Sequence, residues 1–135
     1  MNVNVLGGGI AVDESLVDES PAEIRRQVAE YGSGERRTFD LDIEVPDSFT
    51  GQVMRAMAEI PYGETRSYGD LAAALDTAPI AVGGACGRNP VPLLVPCHRV
   101  VAADGGLCGY SAPGGLALKR RLLDHERTVV AGARA

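Results

Sequence analysis

The stretch "VPCHRV" at positions 95–100 places a thiol, an imidazole and a guanidinium side by side in an apolar run. Cys97 there has four readings: a buried inert thiol, half of a disulfide, a metal ligand or a nucleophile. Unpaired cysteine is among the most buried residue types, so the inert reading is the default in apolar sequence. Three features pull against it. Pro96 fixes the backbone just before the sulfur, His98 supplies a base, and Arg99, read as structural rather than catalytic, adds positive charge that would favour thiolate. Glu126, in "LLDHE", is the candidate carboxylate for orienting the imidazole. Cysteine, histidine and carboxylate form the general pattern of an activated nucleophile, one that a thiol hydrolase would share. A metal site needs better ligand spacing: the histidines are His98 and His125 alone, with no CxxC and no HExxH.

These residues need elements to hold them. "MNVNVLGG" alternates apolar and polar and predicts a half-buried strand. Pro21 opens a helix that Gly32 ends. "RRTFDLDIEV" alternates again, which predicts a second strand with Phe39, Leu41, Ile43 and Val45 on one face. From Asp47 the period becomes helical. Ser48 is the expected N-cap, and Phe49, Val53, Met57 and Ile60 recur at helical spacing. Ser67 caps the next helix, with Asp70 three residues on as a capping box. Asp76 or Thr77 is expected to cap a third, with Pro79 in its first turn. The sequence from Ser67 to Pro90 therefore reads as helix, tight turn, helix. The second of these carries "AVGGACG", poor helix material, since each internal glycine costs roughly 1 kcal/mol relative to alanine. Residues so small fit where another surface comes close, either a neighbouring helix or a bulky ligand such as a duplex groove. "NPVPLLVPCHRVV" is extended, because its prolines exclude a helix. A glycine-rich loop follows, then a last amphipathic helix with Leu116, Leu122 and Leu123 facing the core and a loose tail.

The 135 residues suffice for one domain with a small appendage. The fold class expected is α+β. A short strand-bearing N-terminal segment, 1–45, precedes a mainly helical, winged-helix-like helix-turn-helix domain, 46–135. No apolar run approaches the length of a membrane span, and the N-terminus lacks a basic region, so neither a membrane nor a signal peptide is expected. A cytoplasmic monomer with reduced cysteines follows. The net charge is −5, with acid concentrated early and Arg88, Arg99 and "LKRR" later. A basic face on an acidic body remains open to a phosphate-bearing partner.

"IPYGETRSYGDLAAAL", "AVGGACGRNP", "PCHRVV" and "GGLALKRRLLDHE" together resemble the O6-alkylguanine-DNA alkyltransferases, the methylated-DNA–protein-cysteine methyltransferases. The resemblance runs from about Phe39 to Glu126. It implies a helix-turn-helix unit in the minor groove of double-stranded DNA containing O6-alkylguanine. The damaged base is flipped out, and its alkyl group passes irreversibly to Cys97 without a cofactor. His98 would act as base through a water, with Glu126 holding it. Asn89 would brace the turn carrying the sulfur. Tyr68 would contact the target phosphate and donate a proton to the leaving guanine. Ala81, Gly83, Gly84 and Ala85 would lie against the duplex, with Arg88 among the basic residues on that side. Tyr110 and Ser111 would line the base pocket, and the carbonyl of Val100 would accept from the base. The chain departs from the family in three places. Ile80 stands where an arginine usually fills the vacated stack. The N-terminal part is short, with no zinc ligand set. "YSAPGG" is two residues longer than the commoner form. The resemblance also admits an alkyltransferase-like protein that binds lesions without efficient transfer, and a regulator that uses alkylation as a signal. A replaced acceptor cysteine marks the lesion-binding class, and Cys97 is present.

Overall fold

A computed structural model of the chain describes residues 1–104 and 115–134. Among the described residues its elements are α+β in kind: five α-helices and two small two-stranded sheets. Strands β1 (Asn2–Val5) and β2 (Gly8–Ala11) form an antiparallel hairpin with Val5 opposite Gly8. Leu6 and Gly7 both hold positive φ, 50° and 81°, the left-handed pair that a two-residue hairpin turn requires. Val3, Val5 and Ile10 point inward. Helix α1 (Pro21–Gly32) starts as expected. Ser20 accepts from the Glu23 N–H, and Pro21 sits in the first turn, where its missing N–H is no loss. Ile24, Gln27, Val28 and Tyr31 make its buried face.

The strand expected in "RRTFDLDIEV" does not form. One isolated antiparallel bridge, Val17 with Ile43, is all the pairing it has among the described residues. The apolar face is still used, because Phe39, Leu41, Ile43 and Val45 pack half-buried on the core. What the segment lacks is a neighbouring strand. A side chain partly replaces the ladder: Gln27 Nε2 donates to Asp40 O at 3.0 Å and Gln27 Oε1 accepts from Asp40 N at 2.8 Å.

Helix α2 (Phe49–Ala58) is capped by Ser48, which accepts from Gly51 N at 3.2 Å. Gly51 is obligatory: a Cβ there would lie 1.8 Å from the Pro46 carbonyl oxygen. Helix α3 (Tyr68–Ala74) carries the expected capping box between Ser67 and Asp70. Helix α4 (Pro79–Gly87) packs on both α2 and α3, completing the helix-turn-helix pair. Its N-cap is Ala78, without a side-chain bond. The turn instead puts Asp76 at φ 53°, so neither Asp76 nor Thr77 caps. Helix α5 (Gly115–Arg134) runs to Arg134, past the expected loosening. Leu118, Leu122 and Leu123 are buried, but Leu116 is 49% exposed. Two residues from Leu118 is about 200° around a helix, so Leu116 faces away.

Two two-residue strands place the site. β3 (Arg66–Ser67) pairs in parallel with β4 (Val100–Val101), Arg66 opposite Val100 and Ser67 opposite Val101. The start of α3 is thereby fixed against the chain that leaves Cys97. One core cluster runs from Val3 to Leu122 and draws on all five helices and on β1, β2 and β4.

Candidate active site

Cys97 opens a 3-10 turn, Cys97–Arg99, directly after Pro96. The turn is closed by Arg99 N donating to Pro96 O at 3.0 Å, and Cys97 N donates to Val95 O at 2.8 Å. Asn89 ties down the loop that leads in: its Nδ2 donates to Val95 O at 3.0 Å and its Oδ1 accepts from Val91 N at 3.1 Å. Val91, Leu93, Leu94 and Val95 are buried, so apolar packing sets this loop as firmly as its prolines do. The Cys97 residue is 5% exposed. A cavity of about 330 Å³ opens beside the bend, walled by Phe39, Ile43, Met54 and Leu93 with Pro96 and Arg99. Cys97 itself does not line it. Tyr110 and Ser111, the expected pocket walls, lie outside the described residues.

His98 and Glu126 are both fully buried and meet: His98 Nε2 lies 2.7 Å from Glu126 Oε2. Burial alone would raise the Glu126 carboxyl; hydrogen bonds from His98 and Arg99 outweigh it and hold the group well below the usual carboxylate range. An ionised Glu126 can only accept, so the proton of neutral His98 sits on Nε2 and Nδ1 presents a lone pair. That Nδ1 is buried without a hydrogen-bond partner among the described residues. Burial pushes His98 below its ordinary pKa, against the pull of Glu126. The imidazole is therefore neutral near pH 7 and in the form that takes up a proton.

Arg99 is structural. Its Nε and Nη2 donate to Glu126 at 2.9 and 3.0 Å, and Nη1 donates to Ile60 O at 2.8 Å. Its charge is matched by Glu126 and does not stand as a separate field on the thiol. Three further participants were not expected at the site, Lys119 having been read only as part of a basic cluster. Gly63 N donates to Glu126 Oε1 at 3.0 Å. Tyr31 Oη donates to Glu126 Oε2 at 2.6 Å. Lys119, the sole lysine, is fully buried, and its Nζ donates to Val100 O at 2.6 Å. A lone lysine on the apolar side of a predicted helix was the available signal for Lys119. Tyr31 and Gly63 carried none, being 95 and 63 residues from Glu126.

Tyr68 is the first residue of α3, and Lys119 Nζ lies 3.5 Å from its hydroxyl and 5.7 Å from its ring centre. Val100 is wholly buried, and its carbonyl already accepts from Lys119 Nζ. On α4 the helical period divides the expected contact residues. Ile80 is 86% exposed, Gly84 and Arg88 are exposed, and Ala81 and Gly83 are half-buried. Ala85 is fully buried and packs inward with Val82 and Cys86, so it cannot touch a duplex. A Cβ on Gly83 would meet nothing among the described residues within 4 Å. Packing among those residues therefore does not account for that glycine. Eleven of the eighteen carboxylates fall in the first fifty residues, which hold only four of the thirteen cations, so the remainder of the chain carries a small net positive charge.

The family model for the DNA-binding domain of 6-O-methylguanine DNA methyltransferase matches residues 48–128. The methylated-DNA–protein-cysteine methyltransferase of Mycolicibacterium paratuberculosis is 47% identical over 104 residues, covering 75% of this chain and 62% of that protein. The protein of the same name from Archaeoglobus fulgidus is 40% identical over 132 residues, covering 88% of this chain and 87% of that one. The crystal structure of Mycobacterium tuberculosis OGT in complex with DNA matches with a TM-score of 0.74 at 41% identity, over 80% of this chain and 68% of that chain. The chain thus spans about 62% of the length of the mycobacterial relative it matches.

Proposed function

Because the chain belongs to the 6-O-methylguanine DNA methyltransferase family, we propose that it repairs alkylated DNA by direct reversal. In this reading residues 46–135 bind the minor groove of a duplex through α3 and α4, and residues 1–45 support the site from behind. The extruded O6-alkylguanine meets Cys97. The thiol proton passes through a water to Nδ1 of His98, whose Nε2 proton is held by Glu126. The thiolate attacks the alkyl carbon, the carbon–O6 bond breaks, and the guanine leaves with a proton from Tyr68. A thioether on Cys97 and an unmodified guanine result, and the thioether does not turn over. The thiolate, not the thiol, is the nucleophile, so a base is needed.

Base extrusion costs a few kcal/mol. Ile80, standing clear of the helix, supplies an apolar wedge for the gap. It lacks the hydrogen bonds an arginine would offer the orphaned base. Arg88, Ala81, Gly83 and Gly84 share its side of α4, and Val100 O keeps a lone pair for the base. Tyr110 and Ser111 complete the proposed pocket. The protein acts as a monomer, without a cofactor, in the cytoplasm, where its thiols stay reduced.

The observation that carries this reading is the placement of Cys97, His98 and Glu126 on one turn and helix, tied by β3 and β4 to the helix-turn-helix pair. The test is intact-mass measurement after incubation with an O6-methylguanine duplex. A stoichiometric gain of one CH₂ unit on Cys97, absent in Cys97→Ser, is expected. Tight duplex binding with no mass change would instead favour lesion recognition without transfer. Repeated turnover of a small ester or amide without DNA would point to a thiol hydrolase.

A further inference from the structure

Three donors converge on a single oxygen. Glu126 Oε2 accepts from Tyr31 Oη at 2.6 Å, from His98 Nε2 at 2.7 Å and from Arg99 Nη2 at 3.0 Å. Tyr31 reaches it from α1, in the segment farthest in sequence from the site. The tyrosine is fully buried and its ring is fixed on three sides. It stacks on Phe39 at 5.6 Å, meets Tyr62 edge-on at 6.0 Å and tilts against His125 at 5.4 Å between centroids. The phenol cannot turn away without disturbing the core.

We propose that Tyr31 is a positioning residue for alkyl transfer, one that sets the basicity of His98 through their shared carboxylate oxygen. The proposal rests on the transfer reading above. A carboxylate oxygen offers about two lone-pair sites. With three donors on it, the phenol and the imidazole compete for the same electron density. The phenol draws charge away and so weakens the pull of Oε2 on the Nε2 proton. The result is an imidazole that stays neutral, with Nδ1 able to take the thiol proton. Burial acts on His98 in the same direction.

Other charged or titratable groups face this cluster. Arg99 and the Gly63 N–H share Glu126. Tyr62 lies between the guanidiniums of Arg37 and Arg99, each 5.5 Å from its ring centre. His125 on α5 approaches the Tyr31 carbonyl at 2.8 Å, and Lys119 disfavours charge on His98. None of these is removed when the Tyr31 hydroxyl is deleted, so the effect of that deletion is attributable to the one hydrogen bond.

The test compares wild type with Tyr31→Phe in the full chain. Single-turnover transfer from an O6-methylguanine duplex is followed across roughly pH 5 to 9, and the His98 imidazole nitrogens are titrated by NMR without DNA. Removing the phenol leaves Oε2 to His98 and Arg99, so His98 should hold its proton to higher pH. The acid limb should move up by about half a pH unit or more, and the NMR titration should move with it. Site-specific 3,5-difluorotyrosine at position 31 keeps the shape but sharpens the donor, and should shift both readouts the other way. This second variant serves if Tyr31→Phe folds poorly. A uniform loss of rate with an unmoved acid limb and unmoved His98 titration would overturn the proposal and leave Tyr31 a packing residue. A wild-type chain that transfers nothing while the NMR titrations still move would overturn the transfer reading alone.

Discussion

Glu126→Gln is the most informative single change in this protein. The glutamine keeps the size of the side chain but exchanges a carboxylate for one carbonyl oxygen and one NH₂ group. Five donors face that carboxylate: Tyr31, His98, two from Arg99, and the Gly63 N–H. The better amide orientation turns its oxygen toward Tyr31, His98 and Arg99 Nη2. Its NH₂ then meets Arg99 Nε and Gly63 N, donor against donor. The guanidinium of Arg99 is left buried without its counter-charge. Removing one partner of a buried ion pair costs about 3–5 kcal/mol, a large share of a total stability of roughly 5–15 kcal/mol. The expected fall in melting temperature is about 10–20 °C. Circular dichroism in urea is the suitable assay, since the chain has no tryptophan. Arg99→Met added to Glu126→Gln removes the orphaned cation and should restore part of the loss. The double variant should be more stable than the two single losses predict, by more than about 1 kcal/mol. A single-variant loss below about 1 kcal/mol, or losses that simply add, would refute the account of Glu126 as a charge-matched hub.

Three further outcomes are expected. Gly83→Ala adds a methyl group to open space, so the protein should gain up to about 1 kcal/mol in stability while its duplex affinity falls several-fold; unchanged affinity in a filter-binding or anisotropy assay would clear that face of the proposed contact. Ile80→Arg should strengthen binding to flipped-base duplexes, and a loss of both affinity and rate would mean the wedge position is misassigned. Stability should decline as the solution is acidified. His98 has a folded pKa below its ordinary 6.5, so the unfolded chain takes up a proton that the folded one refuses as pH falls through that value, and Glu126 adds a second loss below about 4.5. His98→Gln should flatten the slope of the urea midpoint between about pH 7 and 5, and an unaltered slope would assign it to other groups.

What could be read from the sequence was what local chemistry decides. Ser48 and Ser67 are caps because their hydroxyls answer N–H groups three residues away, and that spacing is visible in one dimension. The rigid mount of Cys97 and the carboxylate at Glu126 were visible through motif and period. The failures share a cause. The alternation around Phe39 to Val45 correctly gave a buried face, but a strand also needs a partner, and pattern does not supply one. Ala85 was grouped with its small neighbours by composition, while the turn of α4 carries it inward. Arg99 read as structural, but its partner could not be named, because the carboxylate that claims it lies 27 residues on. Tyr31 gave no sign at all, since its hydroxyl is spoken for by a residue near the other end of the chain.

The convergence on Glu126 has an evolutionary corollary. Positions 31, 63, 99 and 126 bring α1, the turn after α2, the sulfur-bearing turn and α5 to one point, so none can drift alone. Descendants of this chain should inherit them as a linked set while the acidic exterior diverges. A chimera that joins this helix-turn-helix half to a foreign N-terminal segment would need that graft to deliver a phenol to the same spot.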